Sequence, residues 1–113
     1  MSLYYIDGGG GKGRGGGNPT VVTDADNTNL EVAGNTIYDF GDTPITELKI
    51  TSVAKSYKES IIFFVTGAEI EFSAPNTIKW GGDGSVPSLD INTRYCIAIC
   101  NEFAEIDNFG TVS

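Results

Sequence analysis

The sequence predicts an all-β fold: an antiparallel β-sandwich, of jelly-roll or immunoglobulin-like barrel-sandwich type, with a flexible glycine-rich arm at its N-terminus. Three observations lead there. Apolar residues alternate, or run on briefly, in short stretches about ten residues apart, which suits strands and leaves no space for a substantial helix. Charged residues make up 19% of the chain, below the roughly one-quarter usual in globular proteins, while Gly, Thr, Asn and β-branched residues are plentiful. Finally, residues 8–17 read GGGGKGRGGG, a tract that offers no side chain to a core and has the most backbone entropy to lose. The 113 residues suffice for one domain. The boundaries read as an arm over 1–18 and a β-sandwich over 19–113.

The elements follow in order. Thr20-Val21-Val22-Thr23 is β-branched throughout. Asn35 to Phe40 sets Ile37 against Tyr38 and Phe40 in facing, and Gly41-Asp42-Thr43-Pro44 closes it as a turn. In Ile45 to Val53, Leu48 and Ile50 face one way, with Glu47, Lys49 and Thr51 the other. Ser60 to Thr66 is continuously apolar, strand-length and ended by Gly67, which predicts a central strand buried on both faces. Ala68 to Phe72 buries Ile70 and Phe72 and exposes Glu69 and Glu71. Thr77 to Trp80 is short and runs into a Gly81–Gly84 turn. Arg94 to Cys100 places Tyr95, Ile97 and Ile99 on one face, and Glu102 to Asp107 returns as its hairpin partner. Only Ala54 to Ser60 has room for a helical turn. No internal repeat is visible. Strands at this spacing without helices predict antiparallel pairing.

Charge and composition narrow the function. The net charge is −8; Lys12 and Arg14 against Asp7 give the arm +1, so the rest carries −9. Such a body repels a phosphate backbone, so no nucleic-acid partner is expected. No apolar run approaches the ~20 residues that span a bilayer, and Met1 to Asp7 lacks the basic end and apolar stretch of a signal peptide. No membrane role or export is expected. Cys96 and Cys100, four apart on an extended segment, lie ~13 Å apart at ~3.3 Å per residue, beyond disulfide reach. They read as small apolar fillers on one strand face.

Catalytic and cofactor motifs are absent on inspection. The glycine tract fails as a phosphate loop, because Gly11-Lys12 is followed by Gly13 and the position five before Gly11 is Ile6. Asp24 to Asn29 has calcium-loop character, but Asn29 and Asn35 stand where an EF-hand needs Gly and a bidentate Glu. With no His there is no Ser–His or Cys–His pair. The expectation is a protein that is not an enzyme, with no cofactor and no metal. Trp80, the only Trp, either caps one end of the core or, if exposed, stacks on a sugar ring. Burial is favoured, because Ile78 shares its facing and Lys79 points the other way.

In order and spacing, several segments resemble a module of structural proteins of tailed bacteriophages, especially those of gut bacteria. The matching residues are Asn35-Thr36-Ile37-Tyr38-Asp39-Phe40-Gly41, Leu48-Lys49-Ile50-Thr51 and Phe63-Phe64-Val65-Thr66-Gly67. Ile78-Lys79-Trp80 with its loop through Val86-Pro87 follows, then Asn92-Thr93-Arg94-Tyr95 running on to Ile99. The resemblance covers about residues 28–109. It implies a β-rich domain of a tail fibre, baseplate, head fibre or capsid decoration protein, with no catalytic motif to carry over. Such modules usually end a longer chain, whereas here the module is nearly everything, and Cys96 and Cys100 stand where polar or β-branched residues are expected.

The expected function is therefore that of a virion structural protein, assembled in the host bacterial cytoplasm. It would attach to other capsid or tail proteins and act as a homo-oligomer, with a trimer favoured. The expected attachment residues are Tyr4, Tyr5, Ile6, Lys12 and Arg14 of the arm. The alternative is a carbohydrate-binding module that recognises a host surface glycan, with Trp80 and Asp83 of the following loop as the ligand contacts.

Overall fold

A computed structural model describes residues 18–23 and 28–112. Eight strands follow in order: β1 (Thr20–Val22), β2 (Asn29–Val32), β3 (Thr36–Asp39), β4 (Ile45–Val53), β5 (Ser60–Ser73), β6 (Lys79–Trp80), β7 (Thr93–Cys100) and β8 (Phe103–Thr111). There is no helix among the described residues. The segment before Ser60 is bend and coil rather than a helical turn.

The strands do not form an antiparallel sandwich. They stack as the coils of a β-solenoid. β1, β3 and the first half of β5 lie side by side in parallel on one face, and β2, β4 and the second half of β5 do so on another. The chain alternates between the two faces, so β1, β2 and β3 each pair with the strand two places on, and β4 pairs with the second half of β5. Parallel neighbours need a crossover of a dozen or more residues; here the strand on the opposite face supplies it. The turns at 33–35 and 40–44 are thus corners between faces, not hairpins. This is why the antiparallel expectation fails although most of the strands lie where alternation places them.

β5 joins the two faces. Val65 is its last residue paired with β7, and Thr66 its first paired with β4. The Thr66 hydroxyl is wholly buried at this corner. It accepts the Thr93 N–H at 2.9 Å and donates to the Asp90 carbonyl at 2.7 Å. Ser60 acts likewise at the preceding corner, accepting the Thr36 N–H and donating to the Ala33 carbonyl. Buried hydroxyls at corners satisfy backbone groups that a regular ladder would otherwise pair.

Beyond β5 the parallel stacking ends on the first face. β7 runs antiparallel to β5, β8 antiparallel to β7, and β6 pairs parallel with β8. The expected hairpin between residues 94–100 and 102–107 is present. Asn101 makes its tight turn with φ of 57°, a left-handed backbone that Asn tolerates better than most residues.

The core lies between the faces. Inward side chains line up across the strands, as in Val22, Tyr38, Ile62, Ile97 and Ile106. The second face contributes Leu30, Ile50 and Leu48, with Phe72 packed against them. The central strand is buried on both sides as its composition predicts: Ile62 and Phe64 enter the core, while Ile61 joins a second cluster behind the sheet.

Candidate functional site

Three places on the molecule bring together chemically distinctive side chains. The first surrounds Trp80. Its indole is 5% exposed and meets Phe72 edge to face, the ring centres 5.9 Å apart. Ile78 is buried with it and Lys79 points outward, as their alternation requires. A recess of about 310 Å³ beside Trp80 is lined by Gly81, Gly82, Ser85, Pro87, Glu105 and Ile106. Trp80 Nε1 is the one buried side-chain nitrogen or oxygen without a hydrogen-bond partner among the described residues.

Asp83 is not part of that lining. Its Oδ1 accepts the Ser85 N–H at 2.9 Å, closing a local turn between Gly82 and Gly84, both at positive φ. Trp80 is a wall of the core, and Asp83 shapes its own loop.

The second place is the turn of the β7–β8 hairpin. Glu102 receives Lys55 and Lys79 on its two oxygens, each at 3.3 Å. Hydrogen bonds from Lys79 and then Lys55, reinforced by their charges, hold its carboxyl below the ordinary carboxylate range. Lys79 also lies 5.7 Å from the centre of the Phe103 ring. At the opposite end, Arg94 meets Asp42 at 2.7 Å. Exposed pairs of this kind are worth about 0–1 kcal/mol.

The third place is the outward face of β5 and β7, which sequence reasoning did not single out. Ile61, Cys96 and Ala98 point away from the core, yet they are 4%, 0% and 3% exposed. Phe63 packs against them, half-buried. No disulfide joins Cys96 to Cys100. The two share a facing, as expected, but it is the facing opposite to Tyr95, Ile97 and Ile99. Carboxylates border the apolar strip: register places Glu105 beside Ala98, Asp107 beside Cys96 and Asp39 beside Phe63. Glu59 precedes Ser60 on the same side. Burial raises the Glu59 carboxyl above its ordinary value, and the nearby Glu105 charge adds to this. A signal for this face did exist in the sequence. A run apolar at every position requires cover on both sides.

The attachment residues expected from sequence, Tyr4, Tyr5, Ile6, Lys12 and Arg14, lie outside the described residues, as do residues 24–27 of the calcium-loop-like segment. No cluster of three or more His, Cys, Asp or Glu side chains suited to a metal ion occurs among the described residues. No family model, curated protein or solved structure matches this chain.

Proposed function

We propose that this chain is a non-catalytic structural protein of a bacteriophage virion, a head-fibre, decoration, tail-fibre or baseplate component that works by attachment and association. The resemblance of residues 28–109 to phage structural modules supports the phage assignment. The observation that carries the assembly reading is the one-sided pairing of the first coil among the described residues. Among the described residues β1 pairs only with β3, and β2 only with β4. Each therefore has a strand on one side only among the described residues, and an edge of that kind can template a further strand. In stacked-coil proteins an end of this sort is normally closed by a capping element or by another chain. A second copy, or a strand of another virion protein, closes it here. The arm residues Tyr4, Tyr5 and Ile6 would then dock on the particle.

The decisive experiment locates the protein in intact particles by electron microscopy, with and without residues 1–17. The expected result is density on the particle surface that disappears with the arm. Particles of normal occupancy without the arm overturn the docking role. A chain never incorporated into particles overturns the assignment.

A host-glycan-binding module is the second reading, and one observation favours it. Trp80 walls a recess of about 310 Å³ together with Gly81, Gly82 and Ser85, space beside an aromatic ring of the kind a sugar can occupy. Host polysaccharide should then shift or quench Trp80 fluorescence. An unchanged spectrum at millimolar sugar rejects this reading.

A further inference from the structure

We propose that the segment from Gly82 to Leu89 is a strap that opens on its own while the sheets stay folded, and that its opening admits water and small solutes to Trp80. The inference concerns a motion of the protein itself and goes beyond both functional readings, although any sugar entering the recess beside Trp80 would pass the same strap.

The strap is tied at its two ends and hardly at all between them. The chain leaves β6 through Gly81, whose N–H bonds the Ala104 carbonyl at 2.9 Å. It is caught again at Asp90, whose N–H donates to the Tyr95 hydroxyl at 2.7 Å and whose carbonyl accepts the Thr66 hydroxyl at 2.7 Å. From Gly82 to Leu89 the one hydrogen bond among the described residues is internal to the strap, from the Ser85 N–H to Asp83. Gly82 to Val86 are exposed, and Leu89 is the strap residue packed against the core. Segments with few buried contacts and few backbone bonds to the body open at the least cost. Gly82 and Gly84 hold φ at 79° and 88°, and no atom beyond their chain neighbours lies within 4 Å of where a side chain on either would begin. Both are thus placed to act as hinges.

What the strap borders is imperfectly closed. Its residues Gly82, Ser85 and Pro87 share the lining of the recess with Trp80, Glu105 and Ile106, so strap and ring flank a gap where a core would interdigitate. Trp80 is nevertheless 5% exposed, and its Nε1 is buried with no hydrogen-bond partner among the described residues. A donor in that state forgoes the bond that water would give it. Admitting water to Trp80 restores that bond, which offsets part of the cost of opening. Against this stands the packing of Leu89, a single half-buried side chain.

The test uses the unaltered full chain first. Hydrogen exchange of the Trp80 indole N–H, corrected for its intrinsic rate, is compared by NMR with that of the Ile62, Ile97 and Lys79 amides as urea rises below the unfolding transition. The indole should be roughly tenfold or more less protected than the Ile62 and Ile97 amides, and its rate should barely respond to urea, because a small opening exposes little surface. Protection equal to that of Ile62 and Ile97, with the same urea dependence, overturns the proposal, since only global unfolding then uncovers Trp80. The Lys79 N–H, bonded to the Glu102 carbonyl at 2.7 Å, should stay better protected than the indole. If the two exchange together, β6 is fraying and the strap is not the moving part. A second measurement uses Gly82→Ala combined with Gly84→Ala, which strains the closed backbone at positive φ without adding a contact. Acrylamide quenching of Trp80, the only Trp, should then rise roughly twofold or more while the far-ultraviolet circular dichroism spectrum is unchanged. Unaltered quenching in the folded double variant refutes opening through these glycines.

Discussion

Residues with a single demanding backbone or hydrogen-bonding task should give the clearest responses. Asn101 holds φ at 57° in a two-residue turn between Cys100 and Phe103. Asn101→Val should cost about 1–2 kcal/mol, since a β-branched residue is strained there. Asn101→Gly should stay within roughly 0.5 kcal/mol. Urea titrations of the two variants side by side make the comparison. Thr66→Val keeps the shape of the corner but removes the acceptor for the Thr93 N–H and the donor to Asp90. Stranding those buried groups should cost about 1–3 kcal/mol by the same assay. A loss below a few tenths would mean that the corner relaxes enough to repair its own bonds. Glu59 provides a pH signature. Its carboxyl is raised from 4.5 in the folded chain, so folding favours its protonated form. The associated stabilisation is fully present below pH 4.5 and is lost as pH rises through the folded value. Glu59→Gln should therefore flatten that part of the stability–pH curve and raise the melting temperature at neutral pH. Melting curves from pH 4 to 8 test this, and an unchanged slope would count against burial of that carboxyl.

At the scale of elements, cooperativity should be graded along the stack. β5 pairs with β3, β4 and β7, and its residues Ile62, Phe64 and Val65 are among the most buried in the chain. β1 has three residues, one paired strand among the described residues, and Val21 57% exposed. Amide hydrogen exchange should be slowest in β5 and β7 and fastest in β1, because local opening costs least where few buried contacts are broken. Equal protection of β1 and β5 would indicate that the first coil is held more firmly than its pairing implies. The same elements show what the sequence could reveal. Inside and outside positions were legible in β3, β5 and β7, since alternation records which way a side chain faces. Pairing direction was not. A turn at Gly41–Pro44 reads alike whether the chain doubles back beside itself or rounds a corner to another face. The coil repeat was hidden for a related reason: Thr36 follows its partner Thr20 by 16 residues, Ile50 follows Leu30 by 20, and Ile61 follows Ile37 by 24. With no fixed period, the stacked coils leave no repeat to find. The Trp80 site was half legible. Facing alone buries Trp80, but nothing in Gly81–Gly84 announces that Asp83 turns back on Ser85.

For the whole molecule, the two ends of the stack differ. One end is the first coil, with β1 and β2 each paired with a single strand among the described residues. Towards the other end the long face reverses direction, as β7 and β8 run antiparallel. Substitutions that place charge on the first coil, such as Val21→Lys, should weaken association with little effect on the fold, since Val21 is already exposed. Sedimentation velocity and a melting curve on one sample would separate the two effects.

The strand directions at the two edges of the first face also bear on how copies could join. A coil that kept its direction to the last strand would offer unlike, complementary ends, and copies could add head to tail without limit. The reversals at β7 and again at β8 leave the far-edge strand β6 running in the same direction as β1, so the first face recovers that sense at its edge. That edge is only two residues long, Lys79–Trp80, so a strand added there would gain few backbone hydrogen bonds and any row of copies joined through it should stay short.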